Sequence, residues 1–194
     1  MTRVLIAVLS LVFLLGAPTP ASADSESMPS AYVVASKGGR FYLKMTPSGK
    51  RSYARPYAGK GVVYQVRPKG RDKLLWSMRG WYAFQTFLSH DGNYVVRIGD
   101  WPRGRKPSSK HLAIAFYKRG KLLARYSTKQ LIRDTSKVSA SISHYFFKKS
   151  VRGFLPYSHR FEITMVDGVT YQFDARTGKI MSTNPLVQLK PATP

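Results

Sequence analysis

The sequence predicts an all-β fold built from antiparallel sheets. Four segments alternate apolar and polar side chains with a period of two, which is typical of strands that bury one face. These segments cover residues 62–67, 94–99, 161–166 and 169–174. Glycine-containing turns of the kind that join antiparallel strands recur along the chain. They are Asp91-Gly92, Arg119-Gly120, Asp167-Gly168 and Thr177-Gly178.

The first 23 residues have the composition of a cleavable export signal. Arg3 precedes an apolar run over residues 4–15, which is too short to span a bilayer, and the small-residue site Ala21-Ser22-Ala23 follows. We therefore expect residues 1–23 to be a Sec-type signal peptide, and the protein to reside in a bacterial periplasm or outside the cell. No later segment has 18 consecutive apolar residues, so no transmembrane segment is expected after cleavage.

The chain that follows the signal is expected to form a single β-rich domain over residues 31–183. Its length suits one domain, and it contains no cysteine, so its core must suffice without disulfides. Residues 24–30, DSESMPS, are polar and predict a disordered leader. Residues 184–194 contain three prolines without a periodic pattern, which predicts an extended tail.

A weak repeat relates three hairpins within this domain. Each has an apolar strand, a basic glycine turn and a second apolar strand. They are VVYQVRPKGRDKLLW (62–76), LAIAFYKRGKLLARY (112–126) and VTYQFDARTGKIM (169–181). Their spacing of about 50 residues matches one four-stranded propeller blade.

Two short motifs extend this repeat. The segment TFLSHDGNYVVRI (86–98) resembles a strand of WD40-like propeller repeats, and FDARTGKI (173–180) resembles the hairpin of quinoprotein-type repeats. The resemblance implies about three blade-like sheets. Closed propellers need about four to eight blades, so an open stack, a sandwich and part of an oligomeric ring remain alternatives.

Two segments depart from the β pattern. Ser127 or Thr128 can cap a short helix near residues 128–134. Residues 143–149, SHYFFKK, are compatible with either a helix or a strand.

The sequence lacks the common catalytic motifs for acyl transfer, zinc hydrolysis and phosphate binding. Its four histidines have no metal-binding spacing. Asp91, Asp167 and Asp174 lie in turns, and no pattern brings the remaining candidates, Asp100 and Glu162, together. We therefore predict a non-catalytic protein with no metal or cofactor. An unrecognised hydrolase that uses Asp100, His144 and Glu162 is kept as a third hypothesis.

The charge is the main indication of function. The chain has 32 Lys and Arg against 9 Asp and Glu, a formal net charge of +23, which attracts polyanions. No acidic residue lies between Asp100 and Asp134, whereas ten basic residues do. The loop WPRGRKPSSK (101–110) combines these charges with an aromatic ring, as sequence-tolerant polyanion sites do. The candidate binding residues are Trp101, Arg103, Arg105, Lys106 and Lys110.

Two main function hypotheses follow. The first is a binder of an anionic polymer or surface: an acidic glycan, lipopolysaccharide, an anionic membrane surface or nucleic acid. The second is a structural or envelope protein-interaction module that binds protein partners through exposed strand edges or a sheet face.

Overall fold

A computed structural model of the protein describes residues 27–48 and 57–184. Within these ranges, twelve strands form three four-stranded antiparallel sheets, which confirms the all-β prediction. Sheet 1 contains β1 (Tyr32–Ala35), β2 (Phe41–Pro47), β3 (Gly59–Gln65) and β4 (Lys73–Arg79). Sheet 2 contains β5 (Thr86–Leu88), β6 (Tyr94–Ile98), β7 (Leu112–Lys118) and β8 (Lys121–Ser127). Sheet 3 contains β9 (Lys148–Phe154), β10 (Arg160–Met165), β11 (Thr170–Asp174) and β12 (Lys179–Asn184).

Strands that are consecutive in the chain are neighbours in each sheet. The three hairpins of the sequence repeat become the last two strands of each sheet: β3–β4, β7–β8 and β11–β12. Glycines supply the positive φ values that their turns require, 84° at Gly120 and 70° at Gly178. Local turn chemistry and apolar patterning therefore account for the last two strands of each sheet.

Sheet 2 lies between sheets 1 and 3, with a hydrophobic core on each of its faces. In β7, Ala115 and Tyr117 belong to the core shared with sheet 1, whereas Ile114 and Phe116 belong to the core shared with sheet 3. Successive strand residues point to opposite faces, so β7 is apolar on both. The first strand of sheet 2, β5, contacts both β1 of sheet 1 and β9 of sheet 3.

Aromatic rings fill the core between sheets 2 and 3. Phe161 is fully buried, and its ring centroid lies 5.1 Å from Phe87, 6.3 Å from Phe116 and 5.4 Å from Phe154. All three pairs are edge-to-face, the arrangement that aromatic quadrupoles favour. Phe161 therefore joins β5, β7 and β9.

The helix predicted near residues 128–134 forms as one short turn, α1 (Thr128–Leu131). Ser127 caps it, and Gln130 completes a reciprocal capping box. The helix ends at Leu131, because Ile132 adopts an extended backbone conformation. The ambiguous segment 143–149 is not helical; it contains isolated β-bridges and the start of β9.

The two ends of the described chain can be compared with the predicted leader, residues 24–30, and with the predicted end of the domain at residue 183. Residues 27–30 have no regular secondary structure, but the Ser30 carbonyl accepts a hydrogen bond from the Tyr82 hydroxyl at 2.8 Å. Strand β12 ends at Asn184, one residue past the expected domain boundary. The expected signal peptide (1–23), residues 24–26 of the leader and tail residues 185–194 lie outside the described residues. None of the helices among the described residues is long and apolar enough to span a bilayer.

Candidate functional site

A cavity of about 700 Å³ lies where β6 ends and β9 begins. Residues 84–85, 99–102 and 144–148 line it, together with Ser27. These segments are far apart in sequence but adjacent in the stack, because β5 contacts β9. The cavity volume is within the usual range for small-ligand sites, about 300–1,000 Å³.

Gly99 determines how the chain enters the cavity wall. Its N–H donates to the Ala113 carbonyl at 2.9 Å, which extends the β6–β7 pairing beyond Ile98. A Cβ atom at this position would lie only 1.8 Å from the Leu112 carbonyl oxygen. Only glycine permits this close approach of the two backbones.

Backbone contacts also join segment 144–148 of the cavity wall to the chain that follows Trp101. Arg103 and His144 form an isolated antiparallel bridge, and the Tyr145 N–H donates to the Pro102 carbonyl at 3.2 Å. Segment 99–102 and segment 144–148 are therefore held together by backbone contacts.

Aromatic residues form a large part of the cavity wall: Phe84, Trp101, Tyr145, Phe146 and Phe147. The Trp101 ring lies edge-on to His144, with ring centroids 3.9 Å apart. Its Nε1–H is buried and has no hydrogen-bond partner within the described ranges. Trp101 is thus a half-buried wall residue rather than a fully exposed stacking ring.

Asp100 and Lys148 line the polar part of the cavity, and Arg97, outside the lining, pairs with Asp100. Asp100 accepts a hydrogen bond from Arg97 at 3.5 Å, and the two side chains are only 9% and 11% exposed. The Arg97 guanidinium also lies 4.7 Å from the centroid of the Trp81 ring, a cation–π contact. Burial lowers the pKa of Lys148, an effect that the nearby Asp100 carboxylate opposes. Two cations against one carboxylate leave this region net positive.

The structure separates the predicted site residues into three places. Trp101 lines the cavity, whereas Arg103, Arg105 and Lys106 are exposed on the loop that follows it. Lys110 lines a different groove of about 260 Å³, which it shares with Arg125. The cavity and the basic loop are contiguous through the bridge at Arg103.

Sequence reasoning missed the wall formed by Phe146, Phe147 and Lys148. The signal was the run SHYFFKK, in which adjacent aromatic rings precede two lysines. Adjacent residues on a strand point in opposite directions, so a pattern of this kind does not reveal which rings face a cavity.

Of the three residues in the hydrolase hypothesis, two meet in the cavity and one does not. Asp100 and His144 both line it. Glu162 lies on sheet 3, where it accepts hydrogen bonds from Arg152 at 3.4 Å and Gln172 at 3.0 Å. The described residues contain no cluster of three side chains suited to hold a metal ion.

Comparisons with protein-family models, with curated proteins and with solved structures find no match to this chain. The resemblance to propeller repeats therefore stays a prediction, as do the export signal and the envelope protein-interaction alternative.

Proposed function

We propose that the protein is a non-catalytic binder of acidic glycans, and that the cavity beside Trp101 holds one or two sugar rings. One observation carries the proposal: an aromatic-walled cavity contains the partly desolvated Lys148 ammonium and adjoins an exposed basic loop. The combination provides a contact for both the rings and the acidic groups of such a polymer.

The cavity chemistry suits a sugar that carries a carboxylate or sulfate. The apolar face of a sugar ring packs against aromatic side chains, while Gln85 offers polar atoms to its hydroxyl groups. Lys148 can pair with the acidic substituent through a charge-assisted hydrogen bond, which is stronger than a neutral one. Arg97 offsets the charge of Asp100, so this carboxylate does not dominate the local potential.

The basic loop extends the site beyond the cavity. Arg103, Arg105 and Lys106 are exposed, and none takes part in an ion pair within the described part of the chain. They are therefore available to contact further acidic units of a polymer. Such contacts are screened by salt, so binding is expected to weaken as ionic strength rises.

The test compares an acidic oligosaccharide with its carboxyl-reduced, neutral counterpart by calorimetric titration of the full chain. Wild type should bind the acidic form more tightly. Lys148→Met should weaken that binding about tenfold, because it removes a buried charge-assisted contact.

Lys149→Met is the matched control. Lys149 is the exposed neighbour, so the substitution makes the same change in net charge outside the cavity and should leave affinity nearly unchanged. An equal loss of affinity for the acidic oligosaccharide in the two variants would show that binding depends only on total charge. Equal binding of acidic and reduced sugars, or tighter binding of single-stranded DNA, would overturn the glycan proposal.

A second candidate function, hydrolysis of the bound glycan, is favoured by one observation: Asp100 and His144 share the cavity. Nδ1 of His144 lies 2.6 Å from the Ser141 hydroxyl oxygen, but that oxygen also accepts from the backbone N–H groups of Ser143 and His144. The hydroxyl thus serves the local turn. This second function would be established if wild type shortens the oligosaccharide and Asp100→Asn binds it equally well but no longer shortens it.

A further inference from the structure

The outer face of sheet 1, which points away from sheet 2, carries a band of apolar side chains. Tyr42 pairs with Tyr64 across β2 and β3, and their rings stack with centroids 5.1 Å apart. Leu74 on β4 is the cross-strand partner of Tyr64, and its side chain is 56% exposed. Val33 lies on β1, the opposite edge strand of the sheet, and is 59% exposed. The row Tyr42, Tyr64 and Leu74 therefore crosses three strands, and Val33 adds an exposed apolar side chain on β1, where its cross-strand partner is Lys44.

The corresponding outer face of sheet 3 is more polar, although sheet 3 also exposes Met181 on its edge strand β12. Glu162 there accepts hydrogen bonds from Arg152 and Gln172, and the hydroxyl groups of Thr164 and Thr170 lie 2.9 Å apart. A polar face of this kind is expected where an antiparallel sheet faces water. Sheet 1 occupies the equivalent end of the stack but combines its exposed cations with the apolar residues above, and an exposed apolar patch on a folded protein indicates an interaction surface.

Cations border the apolar band. Lys60 and Arg79 are cross-strand partners near one end, and Lys44 lies beside Val33. All three are exposed, and within the described ranges none forms an ion pair. Asp72 is the sole acidic residue of residues 27–79, and it accepts a hydrogen bond from the Tyr42 hydroxyl.

The positive charge of this face indicates which kind of partner can bind it. A second copy would place one cationic face against another, in a chain whose formal net charge is already +23, and like charges repel. A negatively charged surface with an apolar layer beneath it is complementary to both features. Amphipathic helices that lie at a membrane interface combine apolar and aromatic side chains with Lys and Arg, and this sheet face carries the same residue types.

We propose that the outer face of sheet 1 docks onto an anionic lipid bilayer. Tyr42, Tyr64 and Leu74 enter the headgroup region, and Lys44, Lys60 and Arg79 contact lipid phosphates. The face is distinct from the cavity, which is lined by none of the sheet 1 strands. The proposal therefore does not depend on glycan binding.

Cosedimentation of the full chain with two vesicle preparations tests this proposal. One preparation contains phosphatidylcholine mixed with phosphatidylglycerol, and the other contains phosphatidylcholine alone. Wild type should bind the anionic vesicles and bind the zwitterionic ones far more weakly. Leu74→Glu should reduce the anionic partition coefficient by about tenfold or more, because it removes an inserted side chain and adds a repelled charge.

Met181→Glu is the matched control. Met181 lies on sheet 3 and is 50% exposed, so the substitution makes the same change in charge and exposure away from the face. Its partition coefficient should remain within about twofold of wild type, because charges beyond a Debye length of about 10 Å are screened.

Three outcomes would overturn the proposal: no binding of wild type to anionic vesicles, equal losses in the two variants, or a wild-type dimer that Leu74→Glu dissociates in light scattering. The last outcome would identify a second copy as the occupant. Glycan affinity measured on the same Leu74→Glu protein should be unchanged, which separates failure of this proposal from failure of the glycan site.

Discussion

Gly99→Ala tests whether the close backbone approach at the end of β6 positions the cavity wall. The new Cβ atom would lie 1.8 Å from the Leu112 carbonyl oxygen and 2.6 Å from the Leu112 carbonyl carbon. Ordinary non-bonded contacts are about 3.5 Å, so segment 99–102 and β7 must separate by more than about 1 Å. Both neighbours are backbone atoms in a paired strand, so no flexible side chain can absorb the overlap.

We expect Gly99→Ala to lower the free energy of unfolding by about 3 kcal/mol, the upper part of the usual range for overpacking. For a chain of this size that corresponds to a decrease in Tm of about 6–12 °C. Urea denaturation followed by tryptophan fluorescence measures the first quantity, and calorimetry measures the second. Glycan binding should weaken in the same variant, because Asp100 and Trp101 directly follow the displaced residue.

Gly168→Ala provides the comparison. Gly168 has a φ of 86°, but an added Cβ would meet no atom within 4 Å. Its substitution should therefore cost only the strain of a left-handed alanine, about 1 kcal/mol. The reasoning is refuted if Gly99→Ala lies within about 0.5 kcal/mol of wild type, or if it costs no more than Gly168→Ala.

Three further predictions concern the core and the charged groups. Phe161→Ala should lower the free energy of unfolding in urea by about 4 kcal/mol, because it empties a fully buried ring site; a loss below 1 kcal/mol would contradict its central position. Arg97→Met should cost about 3 kcal/mol by leaving the buried Asp100 carboxylate with one cation fewer; a neutral result in the same assay would contradict this. At Asp91, hydrogen bonds from neighbouring groups, His159 among them, outweigh partial burial and hold the carboxyl pKa well below its usual range. A carboxyl group whose pKa is lowered by folding stabilises the folded protein at pH values above its unperturbed pKa of 3.8. That stabilisation is lost as the pH falls and the carboxylate is protonated. The stability difference between wild type and Asp91→Asn should therefore shrink below about pH 4, and a difference that is constant from pH 7 to pH 3 would be inconsistent with it.

Much of the fold could be predicted because its signals are local. Hairpin β7–β8 has two apolar strands joined by Arg119-Gly120, and both turn residues adopt positive φ, 45° and 84°. The helix near residues 128–134 was predicted from its N-cap, and Ser127 does cap it. Its early end at Leu131 was not predicted, because no glycine or proline marks that position.

The candidate site could be predicted only in part. Trp101 and the loop from Arg103 to Lys106 were identified from charge and composition, and they do adjoin one cavity. Lys110 was grouped with them by proximity in the chain, but it lines another groove. Lys148 was missed because it is separated from Trp101 by more than 40 residues and reaches the cavity only through the packing of sheet 3.

The sequence by itself determined the three antiparallel hairpins, their glycine turns and the excess of positive charge. Each depends on residues that are adjacent or nearly adjacent in the chain. Only the tertiary structure decided that sheet 2 is buried on both faces, that Trp101 and Lys148 share a cavity, and that sheet 1 leaves Val33 and Leu74 exposed on its outer face. These properties depend on which sheet faces pack together, and that choice is made by contacts between residues far apart in sequence.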